Sequence, residues 1–85
     1  MNVEETKMII QKEGLKNYCF FCDRSPNERE VVIQKSGKKW AVYTCDERAA
    51  KIGEQIYNNE SDALEDFVKR LRGDKLVREY YGDSL

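Results

Sequence analysis

The apolar positions of the chain change their spacing twice, and the changes mark out the elements. Val3 to Glu13 reads as a short helix, with Glu4 and Glu5 near its positive N-terminal end and Lys12 near its negative C-terminal end. Gly14 is placed as a left-handed stop, after which Leu15 can fold back onto the last turn. The middle of the chain is β in character. Asn17 to Cys22 contains Tyr-Cys-Phe-Phe, a run that suits a half-buried strand, and Asp23 to Asn27 is turn chemistry. Glu30 to Lys35 has the β-branched centre Val31, Val32 and Ile33, and Ser36-Gly37 predicts a tight hairpin. The returning strand, Lys39 to Cys45, alternates: Trp40, Val42 and Thr44 on one face, Ala41, Tyr43 and Cys45 on the other.

Asp46 to Glu54 is expected as a loop because Gly53 interrupts any helix there, with a short fourth strand over Gln55, Ile56 and Tyr57. Asn58-Asn59 marks a turn, and Ser61 is expected to cap the helix that follows. In that helix Leu64, Phe67, Val68 and Leu71 fall at i, i+3, i+4 and i+7, one face of a helix. Gly73 is expected to end or bend it, with a restart at Asp74 that carries Leu76, Val77, Tyr80 and Tyr81 towards Gly82. The predicted architecture is α+β. A small antiparallel meander of three to four strands packs with an N-terminal helix and C-terminal helices.

Composition narrows what such a domain can do. Eighty-five residues predict one domain. There is no histidine, which excludes Ser-His-Asp and Cys-His nucleophiles and any imidazole base. Nothing approaches the roughly 20 apolar residues that span a bilayer, and no signal-like segment opens the chain. Three cysteines without such a signal fit free thiols in a cytoplasmic protein.

Cys19-Phe-Phe-Cys22 with Cys45 lacks a fourth zinc ligand, and positions 19 and 22 of one strand would point to opposite faces. The thiols therefore read first as small buried apolar side chains, with metal and redox roles behind. Asp46-Glu47 reads as a capped turn with Arg48 as counter-ion rather than as a catalytic pair. Trp40 reads as core. The net charge of −1 hides an uneven distribution: residues 46–66 hold seven acids and two bases, residues 69–78 five bases and one acid. Part of this can pair within the helix, as Glu65 with Lys69 and Asp66 with Arg70. The rest suits protein recognition.

The run Glu30-Val31-Val32-Ile33, followed by Gly37-Lys38-Lys39-Trp40-Ala41-Val42-Tyr43-Thr44-Cys45-Asp46-Glu47-Arg48, carries a resemblance. Together with Asn59 to Phe67 and Leu71, it resembles the immunity protein 59 family of bacterial polymorphic toxin systems. The family commonly has a glycine after the arginine, where this chain has Ala49. The resemblance implies a single immunity-protein-like domain over residues 1–85, non-enzymatic and cytoplasmic, with no cofactor. Its implied partner is the toxic C-terminal domain of a cognate toxin, often a nuclease with a basic cleft, and neither nucleic acid nor membrane. On that basis Asp46, Glu47 and Glu54 near the loop, with Asp62 and Asp66 on the helix, are the expected charge partners of the toxin. Tyr43 and Tyr57 are the expected aromatic anchors, and Arg48 is expected to hold the loop. The alternatives are a phage-encoded inhibitor or adaptor, and a small zinc-binding or nucleic-acid-binding regulatory module using the cysteines and the basic run from Lys69 to Arg78.

Overall fold

Asn2 opens the first helix, α1 (Val3–Glu13), its side chain accepting the Glu5 N–H at 2.8 Å. Gly14 closes it in the left-handed region at φ 65°, and the Leu15 N–H bonds back to Ile10 O, as the glycine-leucine pair predicts. The protein is described here from a computed structural model that covers residues 1–82. Four strands follow in the order β1 (Tyr18–Phe20), β2 (Val31–Ser36), β3 (Lys39–Cys45) and β4 (Lys51–Tyr57), adjacent in space as in sequence. The fold is α+β with a mostly antiparallel sheet, as expected.

Four local expectations are corrected. The first strand is three residues rather than the expected Asn17 to Cys22, and it pairs parallel to β2 (Tyr18↔Val31 to Phe20↔Ile33), so the sheet is mixed. The cause lies in the connection. Phe21 leaves the strand at φ 52°, and Arg24 grips Glu30 through two guanidinium nitrogens at 2.8 and 2.7 Å. The Glu30 carboxylate also takes the Asn27 N–H at 2.8 Å. This pinned loop carries the chain back to the starting end of the sheet, where an open turn would have produced a hairpin. Arg24 in turn holds the Glu30 carboxyl below its ordinary range.

The fourth strand begins at Lys51 and absorbs Gly53 instead of stopping at it. A bulge in β4 sets Gly53 and Glu54 opposite Tyr43 alone, and Gly53 at φ 62° takes the turn it needs. Asn59, not Ser61, caps the second helix α2 (Glu60–Tyr81), accepting the Asp62 N–H at 2.9 Å. The Ser61 hydroxyl instead receives the N-terminal ammonium at 2.9 Å, which ties α1 to the start of α2. Finally, α2 runs through Gly73 as one helix of 22 residues. A mid-helix glycine costs about 1 kcal/mol. Arg72 on Glu13 at 2.6 Å and Arg78 on Asp74 at 3.0 Å hold the turns on either side of it.

The alternation of β3 divides the interior as read. Val31, Ile33 and Val42 face the helices and meet Ile10, Leu15, Leu64, Phe67 and Leu71, all of them buried. Phe20 stacks on Phe67 with centroids 5.5 Å apart, and Trp40 packs half-buried against the same cluster. Cys19, Val32, Tyr43 and Cys45 form a smaller cluster on the far face.

Candidate functional site

The residues expected to meet a partner divide into those used internally and those left at the surface. Asp66 belongs to the first group. It accepts the Tyr57 hydroxyl at 2.6 Å and Arg70 Nε at 2.9 Å, while Arg70 reaches Gly53 O at 2.6 Å and Thr44 Oγ1 at 3.2 Å. This network pins α2 to β3 and β4. The hydrogen bond to Asp66, reinforced by burial, pushes the Tyr57 hydroxyl up to about 12. Tyr43 is also internal at 3% exposure, with Lys51 Nζ 4.7 Å from its ring centroid, and burial raises its pKa. Both expected aromatic anchors are thus engaged within the fold.

Asp46 organises the β3–β4 loop. Its carboxylate accepts the N–H groups of Arg48 and Ala50 at 2.8 and 3.0 Å, and its carbonyl those of Arg29 and Ala49 at 3.2 and 3.0 Å. The capped turn expected at Asp46 is present. Arg48 contributes its backbone N–H to it, and the cation nearest Glu47 is Arg29 at 3.5 Å. Asp62 accepts Asn59 Nδ2 at 2.9 Å and remains exposed. Glu47, with 82% of its side chain accessible, and Glu54, held loosely by Lys51 at 3.3 Å, also stand out from the surface. Every residue of β4 except Tyr57 is exposed, Ile52 and Ile56 included.

The basic run is engaged differently from the acidic one. Arg70 pairs with Asp66, Arg72 with Glu13 and Arg78 with Asp74, while Lys75 bonds the Glu13 carbonyl. Asp66 with Arg70 is the intrahelical pair expected; Glu65 and Lys69 are both exposed with no ion pair between them among the described residues. The cysteines depart from expectation. The turn at Phe21 brings Cys19 and Cys22 together as a disulfide, their Cα atoms 5.5 Å apart, and only Cys45 is a free thiol. A continuous strand would have kept the pair on opposite faces; the left-handed residue between them removes that constraint.

One surface feature has no counterpart in the expected set. Past Leu71 the face of α2 leaves the core, and a cleft of about 350 Å³ opens between it and the end of the sheet, lined by Arg29, Thr44, Glu47, Val77 and Arg78 among others. Periodicity carried no signal for it, because Val77 and Tyr81 lie off the helical stripe of Leu64, Phe67 and Leu71. Among the described residues no helix is long and apolar enough to cross a membrane, and no group of His, Cys, Asp and Glu could hold a metal ion.

No curated protein and no solved structure matches the chain. The model of a protein family, immunity protein 59, matches residues 2–81 of the 85, almost the whole length. That match takes in both helices, all four strands and the acid-rich stretch between β3 and α2, and the chain belongs to the immunity protein 59 family.

Proposed function

We propose that the protein binds the toxic C-terminal domain of a cognate bacterial toxin and neutralises it by covering a basic, nuclease-type substrate cleft. Family membership supports the immunity function, and the family is generally non-enzymatic. The observation that carries the mechanism is the concentration of acids in one contiguous segment at the surface. Residues 46–66 sum to −5 and form the β3–β4 loop, the exposed edge strand β4 and the first turns of α2. A surface of this sign complements a cleft built for phosphate and speeds the encounter with it. Glu47, Glu54 and Asp62 are the charge partners best placed for this. Asp46, Asp66, Tyr43 and Tyr57 act by holding the loop, β4 and α2 in position.

The test is association with the catalytically inactive toxin domain encoded beside this chain. Glu47→Lys with Glu54→Lys alters exposed groups, so the fold should persist. Association should slow by about tenfold or more at low salt, with a weaker effect at high salt. Toxin killing undiminished by co-expression of the wild-type protein would sink the proposal.

A further inference from the structure

The two edges of the sheet are unlike. β1 has three residues, whereas β4 has seven, all but Tyr57 exposed. The register of the sheet shows where the backbone groups of β4 point. The Cys45 N–H donates to Glu30 O at 2.8 Å, so Cys45 turns its backbone groups towards β2. Hydrogen-bonded and non-bonded pairs alternate along an antiparallel ladder. Ala41, Tyr43 and Cys45 therefore bond towards β2, and Trp40, Val42 and Thr44 towards β4. Tyr57, Gln55 and Ile52 lie opposite the latter three and complete that ladder. Lys51 and Ile56 lie opposite Cys45 and Ala41, so their N–H and C=O groups point away from the sheet. An exposed edge with such groups is a template for another strand.

The chemistry beside the edge selects that strand. The Lys51 ammonium lies over the Tyr43 ring and 3.3 Å from Glu54, which puts Glu54 on the face of the sheet away from the helices. Asp62, one helical turn before the Asp66 that holds Tyr57, stands on the other face. Acids thus flank the edge on both faces. Ile52, 49% exposed opposite Thr44, and Ile56, 53% exposed opposite Ala41, give each face one apolar contact. An added strand sends its side chains alternately to the two faces, so one that carries bases meets an acid on either side. A second copy of this chain fits badly. The register that fills both sites, Lys51 of one copy against Ile56 of the other, sets bulge against bulge and the two acidic segments side by side.

We infer that β4 is the docking edge for the toxin domain, which adds an extended, base-bearing strand to it and bonds the outward backbone groups of Lys51 and Ile56. The inference rests on the toxin-binding reading above and gives that charged surface a definite register with its partner.

Amide hydrogen exchange on the full-length protein, alone and with the same inactive toxin domain, tests it. In the unbound protein the Lys51 and Ile56 amides should exchange faster than those of Gln55 and Tyr57, and the toxin domain should slow them by about tenfold or more. Ile56→Pro removes one outward N–H at an edge position where proline is tolerated, and should weaken binding by about tenfold or more. Ile56→Val keeps the N–H and should bind within about threefold of the wild type. The exchange measurement needs only the wild-type chain, so it decides the matter whether or not the proline variant folds. Toxin binding that leaves the Lys51 and Ile56 amides as fast as before overturns the inference while the toxin-binding reading stands. No binding by the wild-type protein overturns both. A dimer in sedimentation whose formation protects the same two amides would assign the edge to a second copy and overturn the inference.

Discussion

Ala49 shows how one backbone angle can record a chemical preference. It sits at φ 61°, where the Asp46 carbonyl accepts its N–H and the Asp46 carboxylate accepts the next. A side chain in the left-handed region costs roughly 1–2 kcal/mol, and glycine avoids that cost while losing about 0.4–1 kcal/mol through its freer unfolded chain. Ala49→Gly is therefore expected to raise stability by about 0.5–1 kcal/mol, read as a higher midpoint in urea unfolding. Tyr57 makes a pH-dependent contribution at the same scale. Its folded pKa of about 12 lies above the ordinary value of 10, so the proton is held more tightly in the folded state. The contribution is complete below pH 10 and is lost as pH rises towards 12. Tyr57→Phe should cost about 1.5 kcal/mol at pH 8, the worth of a hydrogen bond to a charged group. The gap between mutant and wild type should close as the unfolding series is carried from pH 10 to pH 12.

Among the elements, α2 is read correctly in its first half and incorrectly in its second. Leu64, Phe67, Val68 and Leu71 form the buried stripe that their spacing predicts. Gly73 was expected to break the helix, but a glycine penalty of about 1 kcal/mol is small beside what surrounds it. Lys75 on the Glu13 carbonyl and Arg78 on Asp74, both past the glycine, form with the helix continued through it, and Arg72 on Glu13 holds the turn before it. Gly73 is exposed, and a Cβ there would meet nothing within 4 Å. Gly73→Ala should accordingly stabilise the protein by about 0.5–1 kcal/mol with toxin affinity unchanged, a result that thermal unfolding and a binding titration would check together. In β4 the misreading has a related cause. Gly53 signals interruption in the sequence, yet opposite β3 it supplies the positive φ that a bulge requires.

At the scale of the whole molecule, the uneven charge distribution resolves into two unlike surfaces. The bases of residues 69–78 are largely taken up in ion pairs with α1 and within α2, whereas Glu47, Glu54 and Asp62 remain outward. That asymmetry gives the charge-reversal experiment its expected sign: lysines at 47 and 54 act on the acidic surface and leave the internal pairs intact.

The hairpin of β2 and β3, the two faces of β3, the helix over residues 3–13 and the buried stripe of α2 were all legible along the chain, because local periodicity fixes which side chains share a face. The acidic segment and the family resemblance were legible too, since both depend on residue identity alone. Tertiary structure decided the parallel pairing of β1, the Cys19–Cys22 disulfide and the internal engagement of Tyr43, Tyr57 and Asp66. It also decided the cleft beneath Val77 and Arg78. Each of these depends on where a distant residue arrives: Glu30 for the loop that turns β1, Arg70 for β4, and Arg29 and Glu47 for the cleft. Periodicity reports the direction of a side chain from its own backbone, and only the completed fold brings it a partner.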